Sequence, residues 1–133
     1  MKKYFFLIFI STAIVASAQS RPDESNAEQP TSCEVSQRIL DTMHQLAADG
    51  TIIIIAKLGS GERASRLNKD RLQSVSTYLQ NAWKRSPETI VLATGDKREQ
   101  GLGRLDIYAE GKNIYSLFAG KSQNIKIHCR NPD

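Results

Sequence analysis

From Thr31 onward the apolar residues change their period along the chain. Val35, Ile39, Met43, Leu46 and Ala47 recur at intervals of three and four, the spacing of one helix face. Thr31 and Glu34 stand ahead of them at capping-box spacing, and Gly50 is a natural stop. The run TIIIIA, residues 51–56, is β-branched from Thr51 to Ile55 and ends in Ala56, so both faces of that strand must be covered and its place is the middle of a sheet. Helical spacing returns in Leu72, Val75, Leu79 and Ala82, with Trp83 near the edge of the stripe and Asn68 as the expected N-cap. A second strand is expected in TIVLAT, residues 89–94, after Pro87. A third is RLDIYA, where Leu105, Ile107 and Ala109 alternate with Arg104, Asp106 and Tyr108. The glycine-bracketed loop 95–103 is too short for a helical crossover, so a hairpin return is expected there. A second hairpin is expected within NIYSLFAGKSQNIKIHC, turning near Gly120 to Asn124, with an extra C-terminal strand from Asn124 to His128. The fold class predicted is α/β, an α+β sandwich of two helices packed on a mixed sheet of four to five strands.

The first eighteen residues follow a different logic. MKKYFFLIFISTAIVASA has two lysines, an apolar run from Tyr4, and Ala16-Ser17-Ala18 as a small-x-small cleavage signal, the layout of a secretory signal peptide. Ser11, Thr12 and Ser17 interrupt the run, which falls short of the roughly 20 residues a membrane span requires. Residues 1–18 are therefore expected to be removed on export, with the membrane met only during that step. QSRPDESNAEQP, residues 19–30, lacks apolar periodicity and reads as a flexible leader, leaving residues 31–133 as one domain. The expected location is periplasmic or secreted.

Export changes how charge and cysteines are read. Of the formal charge of +4, Lys2 and Lys3 would leave with the signal peptide, so part of the basicity is a targeting feature. No run of Lys and Arg interleaved with aromatics survives, which argues against a nucleic-acid partner. Cys33 and Cys129 are expected to pair in an oxidising compartment; free thiols, or a metal site with His128, are the alternatives. His44 and His128 with scattered carboxylates match no metal-ligand spacing, and no cofactor is implied.

Candidate chemistry concentrates around LNKDRLQSVSTYL, residues 67–79. With Asn68 as cap, Arg71 lies in the first turn, where positive charge opposes the helix dipole by a few tenths to about 1 kcal/mol. It either pairs with an acid elsewhere in the fold or faces a cleft and holds an anion. The preceding GSGE, residues 59–62, lacks the Walker and dinucleotide patterns and reads as a strand-to-helix turn. No G-x-S-x-G or H-E-x-x-H motif occurs; Glu62 and Asp96 are the weak basis for an acid/base alternative, and the expectation is a non-enzyme.

Leu67-Asn68-x-x-Arg71-Leu72, continued by Val75, Tyr78 and Leu79, then TIVLATG and Arg104-Leu105-Asp106-Ile107, resembles the OmpA-like C-terminal domain over roughly residues 33–110. That family includes peptidoglycan-binding modules. The resemblance implies a helix arginine, here Arg71, that grips the diaminopimelate carboxylate of the stem peptide, a planar bidentate pairing to which guanidinium is suited. The family's loop aspartate falls at Ala56, its asparagine before the helix at Ala64, and Glu62 is the one acid in residues 56–62. The family's first strand has no counterpart in the leader, and the extra C-terminal strand, pinned by Cys33 and Cys129, is expected in its place. The implied site is Arg71, Glu62 and Asn68, and the implied function is an exported, non-catalytic module contacting peptidoglycan or another envelope component. The alternative is an OmpA-like scaffold or protein-interaction and inhibitor module that has lost that ligand.

Overall fold

The computed structural model describes residues 28–129. The expected signal peptide and most of the leader lie outside the described residues. Within them the elements are α1 (Cys33–Leu46), β1 (Ile52–Lys57), α2 (Ser65–Trp83), a 3-10 turn at Pro87–Thr89, β2 (Ile90–Thr94), β3 (Arg104–Ala109) and β4 (Lys112–Phe118). The strands form one mixed sheet in the order β2-β1-β3-β4. The β-branched run of β1 occupies an inner position, parallel to β2 and antiparallel to β3. Ile52, Ile54 and Ala56 are fully buried, and they meet Leu40, Met43, Leu72, Val75, Leu79, Leu105, Ile107 and Leu117 in one core. Among the described residues no helix is long and apolar enough to cross a membrane.

Three expectations about the sheet and its edges are corrected. β2 and β3 do not form a hairpin; β1 lies between them. A nine-residue loop easily crosses the roughly 10 Å between strands one place apart, so its length never demanded adjacency. The hairpin that does form joins β3 to β4 at Glu110 and Gly111, both at positive φ, with a register irregularity at Ile107 and Tyr108. The second hairpin expected to turn near Gly120 to Asn124 does not form, because no fifth strand follows from Asn124 to His128. Ile125 and Ile127 are buried there, but the segment carries no ladder hydrogen bonds to the sheet.

The helices also shift slightly against their expected faces. The α1 cap is Ser32, whose hydroxyl accepts from the Val35 N–H; Thr31 instead joins the leader to β4 through both backbone groups of Phe118. The buried stripe of α1 runs through Ser36, Leu40 and Met43, leaving Val35 and Leu46 exposed at 44% and 58%. α2 begins three residues before Asn68, behind Ala64, which makes no side-chain cap bond. Asn68 is therefore inside the helix and Arg71 in its second turn, where the end charge of the dipole has largely faded. Ala82 is exposed rather than part of the stripe. At the far end, Arg85 donates to the carbonyls of Ala47 and Gly50, closing the last turn of α1 where carbonyls lack helical partners.

The expected disulfide is present: Cys33 and Cys129 are bonded, with Cα atoms 5.5 Å apart and a sequence separation of 96. It ties the C-terminal segment to the first turn of α1. That segment then runs over the first half of α2, where Asn124 Nδ2 donates to Ser74 Oγ at 2.8 Å.

Candidate functional site

Three loops and the second turn of α2 converge on Arg71. The turn after β1 is tight because its sequence permits it: the Glu62 N–H donates to the Gly59 carbonyl, and Gly61, at φ +76°, takes the positive-φ position such a turn requires. This turn aims the Glu62 side chain back at its own beginning, where the Gly59 N–H donates to Oε2 at 2.7 Å. A GSGE turn could in principle offer its amides to phosphate, but here the Gly59 amide is taken by the turn's own carboxylate.

Glu62 and Arg71 then meet end to end. Arg71 Nη1 donates to Glu62 Oε2 at 2.9 Å and Nη2 to Oε1 at 2.6 Å, the parallel bidentate geometry that guanidinium makes with carboxylate. The C-terminal segment completes both groups. Its Ser122 N–H donates to Glu62 Oε1 at 2.8 Å, and its Gln123 carbonyl accepts from Arg71 Nε at 3.0 Å and Nη2 at 2.8 Å. Arg71 is 0% exposed and Glu62 1%. Burial pushes the Glu62 carboxyl upward, yet Arg71 and the amides of Gly59 and Ser122 outweigh it and hold the group at about 2.

The third loop closes the lid on this pair. A Cβ at Gly103 would overlap Arg71 Nη1 and Glu62 Oε2, and one at Gly59 would overlap the Gly103 amide. Two glycine backbones therefore lie in direct contact over the ion pair, held by Ser60 N–H to Gly101 O at 2.9 Å and Ala119 N–H to Gly103 O at 2.9 Å. Each of these glycines is required by close approach rather than by an unusual φ.

Of the three residues the resemblance implied, Arg71 and Glu62 are brought together and Asn68 is buried one turn before Arg71, its Oδ1 without a hydrogen-bond partner among the described residues. The carboxylate that Arg71 holds is an internal one. Two surface depressions, of about 480 and 430 Å³, lie elsewhere: one between the end of α1 and the β3–β4 turn, the other beside the disulfide. Neither is lined by Arg71, Glu62 or Asn68. Asp96 is exposed in the loop after β2, whereas Glu62 is buried in its pair.

Two further polar clusters were not legible as such in the sequence. Asp106, 1% exposed, lies on the sheet face away from the helices and is held by Lys57 Nζ at 3.1 Å, Arg104 Nε at 3.0 Å and Ser116 Oγ at 2.7 Å. Burial raises its carboxyl, but Ser116 and the two cations bring it below the ordinary aspartate value. The alternation of RLDIYA did place Arg104 and Asp106 on one face; the register that adds Lys57 and Ser116 was not available from it. Between the helices, Asp41 Oδ1 accepts from Tyr78 OH and Trp83 Nε1, both at 2.8 Å, and the Trp83 ring stacks on His44 at 4.7 Å. Burial and the neighbouring Asp41 push the Tyr78 hydroxyl up to about 12. Among the described residues there is no group of three or more His, Cys, Asp or Glu placed to hold a metal ion.

No protein-family model, curated protein or solved structure matches the chain.

Proposed function

We propose that this chain is an exported, non-catalytic interaction module of the cell envelope, built on an OmpA-like frame in which the helix arginine serves the fold instead of a stem-peptide carboxylate. The observation that carries this reading is the closed Arg71–Glu62 pair. Arg71 has no exposed surface, and its bidentate face is filled by a carboxylate nine residues earlier in the chain. An external carboxylate would have to displace Glu62 from its two hydrogen bonds to Arg71 and leave it buried without its counter-charge, a penalty of several kcal/mol. The C-terminal segment adds to that barrier, because Ser122 and Gln123 reach the pair through their backbone and are fastened by a disulfide six residues later.

The resemblance to peptidoglycan-binding modules supplies the competing reading, and one experiment separates the two. Exported chain is mixed with purified diaminopimelate-type peptidoglycan and sedimented, with Arg71→Ala alongside. The expected result is that neither protein is retained. Retention of the wild type that disappears in Arg71→Ala would return Arg71 to the role of a ligand anchor, with the internal pair opening on binding.

A further inference from the structure

We propose that the loop between β2 and β3 carries a carboxylate-binding cradle, built by Arg98 and the Leu102 N–H. Glu28, from the leader, is its built-in occupant and gives way to a carboxylate carried by a ligand. Both oxygens of Glu28 are held there. Arg98 Nη2 donates to Oε1 at 2.6 Å, Arg98 Nη1 to Oε2 at 2.7 Å, and the Leu102 N–H to Oε2 at 2.9 Å. A bidentate guanidinium with a backbone amide beside it is a general arrangement for recognising carboxylate.

The cradle does not depend on Glu28 for its shape. Arg98 Nη1 also donates to the Leu102 carbonyl at 2.6 Å, and the guanidinium lies over the Phe118 ring, 6.0 Å from its centroid. The loop is tied to the segment after β1 by Arg98 N–H to Leu58 O and Ser60 N–H to Gly101 O, both at 2.9 Å. Gly101, at φ +87°, leaves open the space the carboxylate fills, because a Cβ there would overlap Glu28 Oε2. Arg104 adds positive charge at the site. Asp106 also acts on Arg98, but it is already matched by Lys57 and Arg104.

The occupant, by contrast, is lightly held. Gln29 and Pro30 are exposed and make no hydrogen bond among the described residues, and the next tie along the chain is Thr31 on Phe118. The side chains of Glu28 and Arg98 are 30% and 17% exposed, against 1% and 0% for Glu62 and Arg71. Water reaches the first pair and not the second, and an exposed ion pair exchanges its partner at small cost. Of the two bidentate arginines, Arg98 is therefore the one that can open to an external carboxylate.

This goes beyond the interaction reading by naming a ligand chemistry, and its readout, the Leu102 amide, is separate from whether peptidoglycan is retained. Exported chain and Glu28→Ala, each with its disulfide intact, are titrated with acetate at constant ionic strength and followed by amide NMR spectra, whose dispersion also shows that each variant folds. In Glu28→Ala the Leu102 amide should shift saturably. In the wild type the same shift should need about tenfold more acetate, because the tethered carboxylate competes. Adding Arg98→Lys to Glu28→Ala keeps the charge but loses the planar fork, and should abolish the saturable shift. Titration with N-acetylglutamic acid α-amide and with N-acetylalanine then assigns the ligand, by the tighter of the two, as a side-chain carboxylate or a chain terminus. A Leu102 amide without a saturable shift in Glu28→Ala overturns the proposal, as does equal affinity with and without Glu28, or binding that survives Arg98→Lys.

Discussion

Replacing Glu62 by Gln tests the central structural argument most directly. The Glu62 carboxylate accepts four hydrogen bonds, two on each oxygen, from Gly59, Ser122 and both Arg71 amino groups. A glutamine keeps the shape but offers one oxygen, so two of those donors would face an NH₂ group, and the Arg71 charge would be left buried without its counter-charge. Removing one partner of a buried ion pair costs about 3–5 kcal/mol. With a urea m-value of about 1–3 kcal/mol/M for a small domain, the midpoint should fall by about 2 M. Combining Glu62→Leu with Arg71→Met removes both charges together. It should restore at least half of that loss, although the Gly59 and Ser122 amides and the Gln123 carbonyl remain without their partners. Urea titrations of the two single variants and the double complete a cycle whose coupling should exceed 1 kcal/mol. A Glu62→Gln shift below about 1 kcal/mol, or single effects that simply add, would refute the claim that this pair organises the three loops.

The same pair sets an acid limit, and the disulfide a redox one. Because the folded Glu62 carboxyl sits at about 2 against an ordinary 4.5, its contribution is fully present above pH 4.5 and is lost as pH falls through 2. That contribution is about 3 kcal/mol, so urea midpoints should decline steadily from pH 5 downward, and the decline should be much shallower in Glu62→Gln. Reduction of Cys33–Cys129 by a phosphine reductant should lower stability by up to about 4–5 kcal/mol in the loop-entropy picture, given the separation of 96 residues. Urea curves that superimpose before and after reduction would mean that the C-terminal segment stays in place without its covalent tie.

How far the sequence reached depended on whether a signal was local. The β-branched run of β1, the alternation of β3 and the periodic stripe of α2 each report burial within one element, and those elements formed close to where their patterns put them. The cysteine pairing was legible because two cysteines in an exported chain leave few alternatives. Sheet order was not legible, because a nine-residue loop permits both a hairpin and a step across one strand. The C-terminal segment shows the same limit from another side. Ile125 and Ile127 alternate like a strand and are buried like one, yet alternation reports which side chains face the core, and pairing needs a free edge within reach.

For Arg71 the sequence left two alternatives, an internal acid or an anion in a cleft, and could not choose between them. A charged residue on an amphipathic helix is ordinarily assigned to water, and a charge at a helix start to a ligand; neither rule anticipates a guanidinium that is entirely enclosed. The clue was its spacing from Glu62, which follows a turn able to reverse the chain only because Gly61 accepts positive φ. Once that turn points Glu62 at the helix, the Gly59 amide fills one position of the pair, and among the described residues Ser122 and Gln123 supply the other backbone partners. The C-terminal segment must therefore lie over α2 rather than extend the sheet, and the disulfide fastens it there. The absence of a fifth strand and the burial of Arg71 thus have one cause. The C-terminal residues up to Cys129 stay off both edges of the sheet, which keep β2 and β4 as their border strands.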